Sequence, residues 1–157
     1  MRQTVVAALL LVMLPAAALA ADDHMAVQPS ALKWGPPPPG LPPGAQVAVV
    51  SGNPGGDGPY VVRIRLPTGY KVPPHTHPTD ENVTVLSGNF HVAMGDKFDA
   101  KKGETLRAGG FFNAQKGMQH YAWTTSPTII QIHGLGPFVI NYVNPADDPR
   151  NKTSEKK

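Results

Sequence analysis

The 157-residue chain contains no cysteine. That absence removes disulfide staples, thiolate zinc sites, thiol nucleophiles and lipid attachment through an N-terminal cysteine. A fold of this length must then be held by the packing of one core, with or without the help of a metal. Long apolar runs are scarce as well. The only unbroken one is the ten residues Val5 to Leu14, half of the about 20 needed to cross a bilayer as a helix, so no stable membrane insertion is expected. Charge is thin: 14 Lys and Arg stand against 11 Asp and Glu, a net charge of +3. Lys101-Lys102 and Lys156-Lys157 are isolated pairs without interleaved aromatics, so no nucleic-acid partner is expected. No segment sustains the 3.6-residue period of a long amphipathic helix, and no internal repeat signals a second domain.

What is abundant is turn chemistry, with 18 prolines and 16 glycines. These predict many short strands divided by tight turns. The N-terminus reads as a processing segment: Arg2, the apolar run, Pro15 and the small-residue site Ala18-Leu19-Ala20 predict a signal peptide over residues 1–20. A buried N-terminal helix is the competing reading, and the bounded run beside a cleavage-type site favours export. The mature protein is therefore expected to be periplasmic or secreted, cut near Ala20, and losing Arg2 takes its net charge from +3 to +2. Residues 21–45 form a proline-rich arm, expected to be stiff, extended and pinned on the barrel by Trp34. Residues 46–143 carry the strands, and 144–157 form a polar tail. Tyr60 to Leu66 alternates, as do Asn89 to Met94 and Thr128 to His133, the pattern of half-buried strands. The expectation is all-β, a single-domain sandwich or barrel.

His75 and His77 are two residues apart, so on a strand both imidazoles share one face. Glu81 follows four residues later and His120 opens a strand much further along. Alone, a His-x-His pair is as readily a surface turn as a ligand pair. Three imidazoles and one carboxylate nevertheless suit a first-row divalent metal, with positions left open for water or substrate.

The residues around them carry a resemblance. Gly69, His75-Thr76-His77, Glu81 and Gly88 stand at the spacing of the first cupin motif. Gly109, Gly117 and His120 keep the second, with Gln115 at its usual proline and Thr124 at its usual asparagine, neither a ligand position. This resembles a single-domain cupin over Gln46 to Tyr142, and implies a double-stranded β-helix, or jelly-roll-like barrel. It also implies that His75, His77, Glu81 and His120 meet at one divalent metal: iron, manganese, zinc, nickel or copper.

On that frame Val83 and Val85 share the face of Glu81, and Ala122 and Thr124 that of His120, so all four are expected around the pocket. The alternation of Gln131 and His133 with Ile130 and Ile132 leaves open which pair faces inward, with His133 a candidate support for the site. His91 is expected to face solvent or an interface, and His24 to be uninvolved. Cupins span many reactions, so fold and motif fix a metal site rather than a reaction. The expected function is a metal-dependent enzyme on a small oxygenated molecule, dioxygenase-like or a lyase or isomerase, with Glu81 as ligand or catalytic base. The alternatives are a non-catalytic metal- or ligand-binding sensor and a barrel with a purely structural metal. A homodimer, paired through sheet edges or swapped arms, is the expected assembly.

Overall fold

The computed structural model describes residues 25–152; the expected signal peptide and His24 lie outside them. Ten strands run in chain order as β1 (Gln46–Gly52), β2 (Pro59–Leu66), β3 (Lys71–Thr76), β4 (Glu81–Ser87), β5 (Phe90–Met94), β6 (Glu104–Leu106), β7 (Phe111–Ala114), β8 (His120–Thr124), β9 (Thr128–Leu135) and β10 (Asn141–Tyr142). They form two five-stranded sheets, one in the order β1-β2-β9-β4-β7 and the other β10-β3-β8-β5-β6. Every pairing is antiparallel. This is the double-stranded β-helix expected: apart from the β1–β2 and β5–β6 pairs, successive strands alternate between sheets, so that distant segments face one another across the core.

Alternation along the strands builds that core. Val62 and Ile64 of β2, Val83 and Val85 of β4, and Ile130 and Ile132 of β9 point inward from one sheet. Val72, Phe90, Val92 and Ala122 answer them from the other. Motif glycines close the turns: Gly88 sits at φ +84°, and a Cβ there would run into the backbone of Pro127 and Thr128, so only glycine fits.

Strand β8 is buried on both faces. Its inward residues His120 and Ala122 meet the core, while Tyr121 and Trp123 are covered from outside by Phe98, whose ring lies 5.0 and 5.4 Å from theirs. Tyr121 donates its hydroxyl hydrogen to the Asp99 carbonyl at 3.0 Å, so the 95–103 connection is strapped across the second sheet. His91 lies on that outer face, stacked on Trp123 at 5.0 Å and bonded to Thr105 and Thr125.

The arm folds back on its own barrel. Gly35 bridges Val47, and the Arg65 guanidinium lies 3.8 Å above the Trp34 ring, a cation–π contact. Further on, Tyr142 donates to the Gly40 carbonyl and Tyr70 to that of Pro42. Between these anchors Leu41 is buried in the core.

Strand β3 runs through two consecutive prolines, Pro73 and Pro74. Neither proline has an N–H to give, and the ladder to β8 breaks register between Val72 and His75. The last strand, β10, is only Asn141–Tyr142. Residues of the tail form a 3-10 turn (Pro145–Asp147) and a short helix, α1 (Pro149–Lys152).

Candidate metal centre

The four residues singled out by spacing converge at one end of the core. His75 comes from the end of β3 and pairs directly with His120 at the start of β8. His77 follows β3, and Glu81 opens β4 on the opposite sheet. All four are buried. The ligating nitrogens of His75, His77 and His120 lie within 4.8 Å of one another, so a small inward shift of the rings suffices for one ion, whose two bonds of about 2.0–2.2 Å span at most about 4.4 Å.

Each imidazole is held through its Nδ1. His75 bonds the Pro73 carbonyl at 2.8 Å, His77 that of Val139 at 2.7 Å and His120 that of Met118 at 3.1 Å. A carbonyl only accepts, so each Nδ1 carries the proton and each Nε2 offers a lone pair. This is how a protein fixes tautomer and ring angle in a metal-ligating histidine. The Glu81 Oε2 lies 3.5 Å from the Nε2 of His77 and 3.3 Å from that of His120. Acceptor then faces acceptor in a dry interior, a repulsive arrangement unless a cation stands between them. Consistent with this, the His77 Nε2 is buried and has no hydrogen-bond partner.

Electrostatics follows from burial and crowding. Burial, with His120 and His77 adding to it, pushes His75 down to about 3, so its ring is neutral at ordinary pH. For Glu81 burial pushes upward; protons on the His77 and His120 Nε2 atoms, which compete with a cation for the same lone pairs, would outweigh it and hold the carboxyl at about 2. A carboxylate beside deprotonated imidazole nitrogens is a donor set that fits a divalent first-row ion.

Below the donors lies an interior void of about 40 Å³, lined otherwise by apolar side chains. That is room for two or three waters at roughly 10–15 Å³ each. Phe138 stacks on His77 at 5.5 Å, and Phe112 packs 5.5 Å from the His120 ring. Sequence reasoning missed both, as well as Leu41 and Tyr142. Phe112 had a usable signal: it stands two residues before Ala114, which pairs with Glu81, and so shares the inward face of β7.

Other expected pocket residues are placed unevenly. Val83 and Ala122 line the void. Val85 is buried in the core deeper along β4. Thr124 is buried but spent elsewhere: its hydroxyl donates to the Pro67 carbonyl and accepts from the Tyr70 N–H, tying β8 to the 67–70 turn. Gln131 and His133 face outward, because Ile130 and Ile132 take the inward positions of β9. Gln131 there accepts from Arg63 at 3.0 Å, and exposed His133 borders a surface groove with Asp80 and Lys116. Neither reaches the site.

Comparison with known structures agrees on the fold. The polyketide cyclase RemF from Streptomyces resistomycificus superposes with a TM-score of 0.65 at 18% identity, covering 85% of this chain and 94% of that one. A candidate acetylacetone dioxygenase from Methylibium petroleiphilum PM1 gives 0.62 at 17% identity, covering 88% and 98%. An RmlC-like cupin from Shewanella frigidimarina NCIMB 400 gives 0.56 at 18%, covering 73% and 91%. No curated protein matches the chain by sequence. The family of ChrR cupin-like domains matches residues 22–139, and with three buried histidines at the ends of the paired strands β3 and β8 of a double-stranded β-helix, the chain belongs to the cupin superfamily.

Proposed function

We propose that this cupin holds one divalent transition metal on His75, His77 and His120, with Glu81 as fourth ligand or adjacent base, and that it is a metal-dependent enzyme acting on a small oxygenated organic molecule. The observation that carries the reading is the set of three Nδ1-to-carbonyl bonds, which leave three imidazoles with free Nε2 atoms in one cluster, two of them beside the Glu81 carboxylate. A bound metal there would supply Lewis acidity or, if redox-active, oxygen chemistry. The chain's own residues supply the rest. The imidazoles fix coordination, Phe112 and Phe138 exclude water, and Glu81, charged at neutral pH, can accept a proton from a molecule placed beside it. Among reactions, dioxygenase-like cleavage is favoured over elimination or isomerisation by analogy with the single-barrel fold shared with the candidate acetylacetone dioxygenase.

The test is metal analysis of protein isolated from its native compartment, with spectroscopy of the ion, followed by oxygen uptake on small diketones and phenols. Metal acquired on overexpression misleads, because a histidine-rich site prefers copper whatever its native ion. A redox-active ion with an exchangeable water and oxygen uptake supports the enzyme. A tightly held zinc without exchangeable water points instead to a non-catalytic sensor or scavenger. One observation favours that second reading: the 40 Å³ void leaves little space beside an ion.

Export is part of the proposal and rests on the residue pattern of segment 1–20. It is tested by fractionation and N-terminal sequencing, with Ala21 the expected first residue. A homodimer is retained as the proposed assembly. Exchange of arms would require residues 35–45 to leave their own barrel for the same contacts on a partner, and sedimentation of the chain with and without the arm tests it.

A further inference from the structure

A two-sheet barrel of this order has two seams where sheet edges meet, and this chain treats them differently. At the seam between β1 and β10 the arm inserts Leu41, anchored by the Tyr70 and Tyr142 hydroxyls. At the other, β6 and β7 are consecutive edge strands joined by a tight turn in which Gly110 N–H bonds the Arg107 carbonyl at 2.7 Å. Nothing among the described residues fills that seam. It holds a groove of about 290 Å³ walled by β5, β6 and β7, with Lys102 and Glu104 at its edge. Two large apolar side chains stand open there: Phe111, 54% exposed, and Met94, 46% exposed. Grouped exposed apolar side chains in a concave site mark a binding surface more often than scattered ones do.

The groove and the metal-end void share two wall residues, Val92 and Phe112. Phe112 also touches the histidine cluster, its ring 5.5 Å from that of His120. The void takes two or three waters, so a ligand with more than a few heavy atoms must keep most of itself elsewhere. The groove, near the roughly 300 Å³ at which small-ligand sites begin, is the space separated from the donors by one side chain. Resting on the metal reading above, we infer that the ligand held at the three-histidine point has a small oxygen-donor head and an apolar, aryl-sized body, that the body lies in the open β6–β7 seam, and that Phe112 is the side chain that separates the two and slows passage between them. Lys102 and Glu104 at the edge leave the far end of the body in contact with water.

The experiment uses the full chain loaded with Co(II), whose visible spectrum reports ligands that join the ion. Two probes with the same head and different bodies are titrated, acetohydroxamate and benzohydroxamate, and dialysis confirms that cobalt stays bound. The expected result is a benzohydroxamate affinity roughly 10- to 100-fold above that of acetohydroxamate, the gain expected for burying one phenyl group. Met94→Lys and Phe111→Lys, both at exposed positions, should abolish most of that preference while leaving acetohydroxamate binding within about twofold. Phe112→Ala should keep the preference and speed benzohydroxamate association. Equal affinities for the two probes on cobalt-loaded protein, or groove substitutions that weaken both probes alike, would overturn the seam while leaving the metal centre standing. Failure of cobalt to load would remove the metal reading and this inference with it.

Discussion

At the scale of single residues the site was legible because its chemistry is written in rare types at fixed spacing. His75, His77, Glu81 and His120 can be chosen from sequence since alternate strand residues share a face, and since no other cluster offers imidazoles in register. What could not be read is which side of a strand a symmetric pattern presents. Gln131 and His133 alternate with two isoleucines, and only the neighbouring β2 and β4, which bring Ile64, Val62 and Val83 inward, decide that Ile130 and Ile132 join them. Thr124 shows the other limit: its place on β8 is inward by period, but a buried hydroxyl must find partners, and it finds them in the 67–70 turn. Replacing it by valine is expected to destabilise the fold by about 1–3 kcal/mol, by removing both hydroxyl bonds and leaving the Tyr70 N–H and the Pro67 carbonyl only the 3.3 Å bond between them, with metal stoichiometry unchanged. Denaturant melts and metal analysis on one preparation check both halves. Alanine at His75 or His120 should behave oppositely and lower metal affinity by at least the 10- to 100-fold typical of lost supporting groups. His91→Ala should leave metal content intact, its ring being stacked on Trp123 outside the barrel; equal losses at all three positions would dismantle the ligand set.

The residue scale also fixes a pH dependence. The His75 pKa is lowered in the fold, from 6.5 to about 3, so between those values the unfolded metal-free chain binds more protons than the native one. Stability then rises with pH across that window, is fully present above about 6.5, and is lost as pH falls toward 3. The expected loss for metal-free protein is a few kcal/mol, read as a fall in denaturation midpoint from pH 7 to pH 4. His75→Gln should flatten that slope, and an unchanged slope would show that the ring is not buried neutral.

Elements were easier to locate than to join. Turn residues and alternation placed most strands, but β3 hid behind its prolines, because sequence rules demote a proline-bearing run, and only pairing with β8 and β10 on both sides shows it to be a strand. The arm was expected to lie over the barrel with Trp34 as its pin, and Trp34 does meet Arg65. That Leu41 would close a seam of the core had no local signal, since one leucine among prolines has no periodicity to read. Its role makes it testable. Leu41→Ala is expected to cost about 2–5 kcal/mol, the range for emptying a buried leucine site, a much larger effect than for a side chain in a loosely laid arm. A loss under about 0.5 kcal/mol would show that the arm only drapes over the surface.

At the scale of the molecule the question is whether the metal holds the barrel together or is held by it. The core draws apolar residues from both sheets and the arm, and the second cluster of Tyr121, Trp123 and Ala93 under Phe98 braces β8 from outside, so the strands that carry His75 and His120 are packed without help from an ion. The ion's share is then a ligand-binding share: at free metal 100 times its Kd it adds about 2.7 kcal/mol, or about 10 °C in Tm for a domain of this size. Stripping the metal with a chelator at neutral pH is therefore expected to leave the β-sheet circular dichroism in place and to lower the melting temperature by about that amount, reversibly on adding metal back. Collapse of the spectrum on chelation would mean instead that the acceptors around Glu81 repel each other enough to open the barrel, as in small domains that fold only on metal binding. The metal would then be a structural staple, and a catalytic reading would need independent evidence.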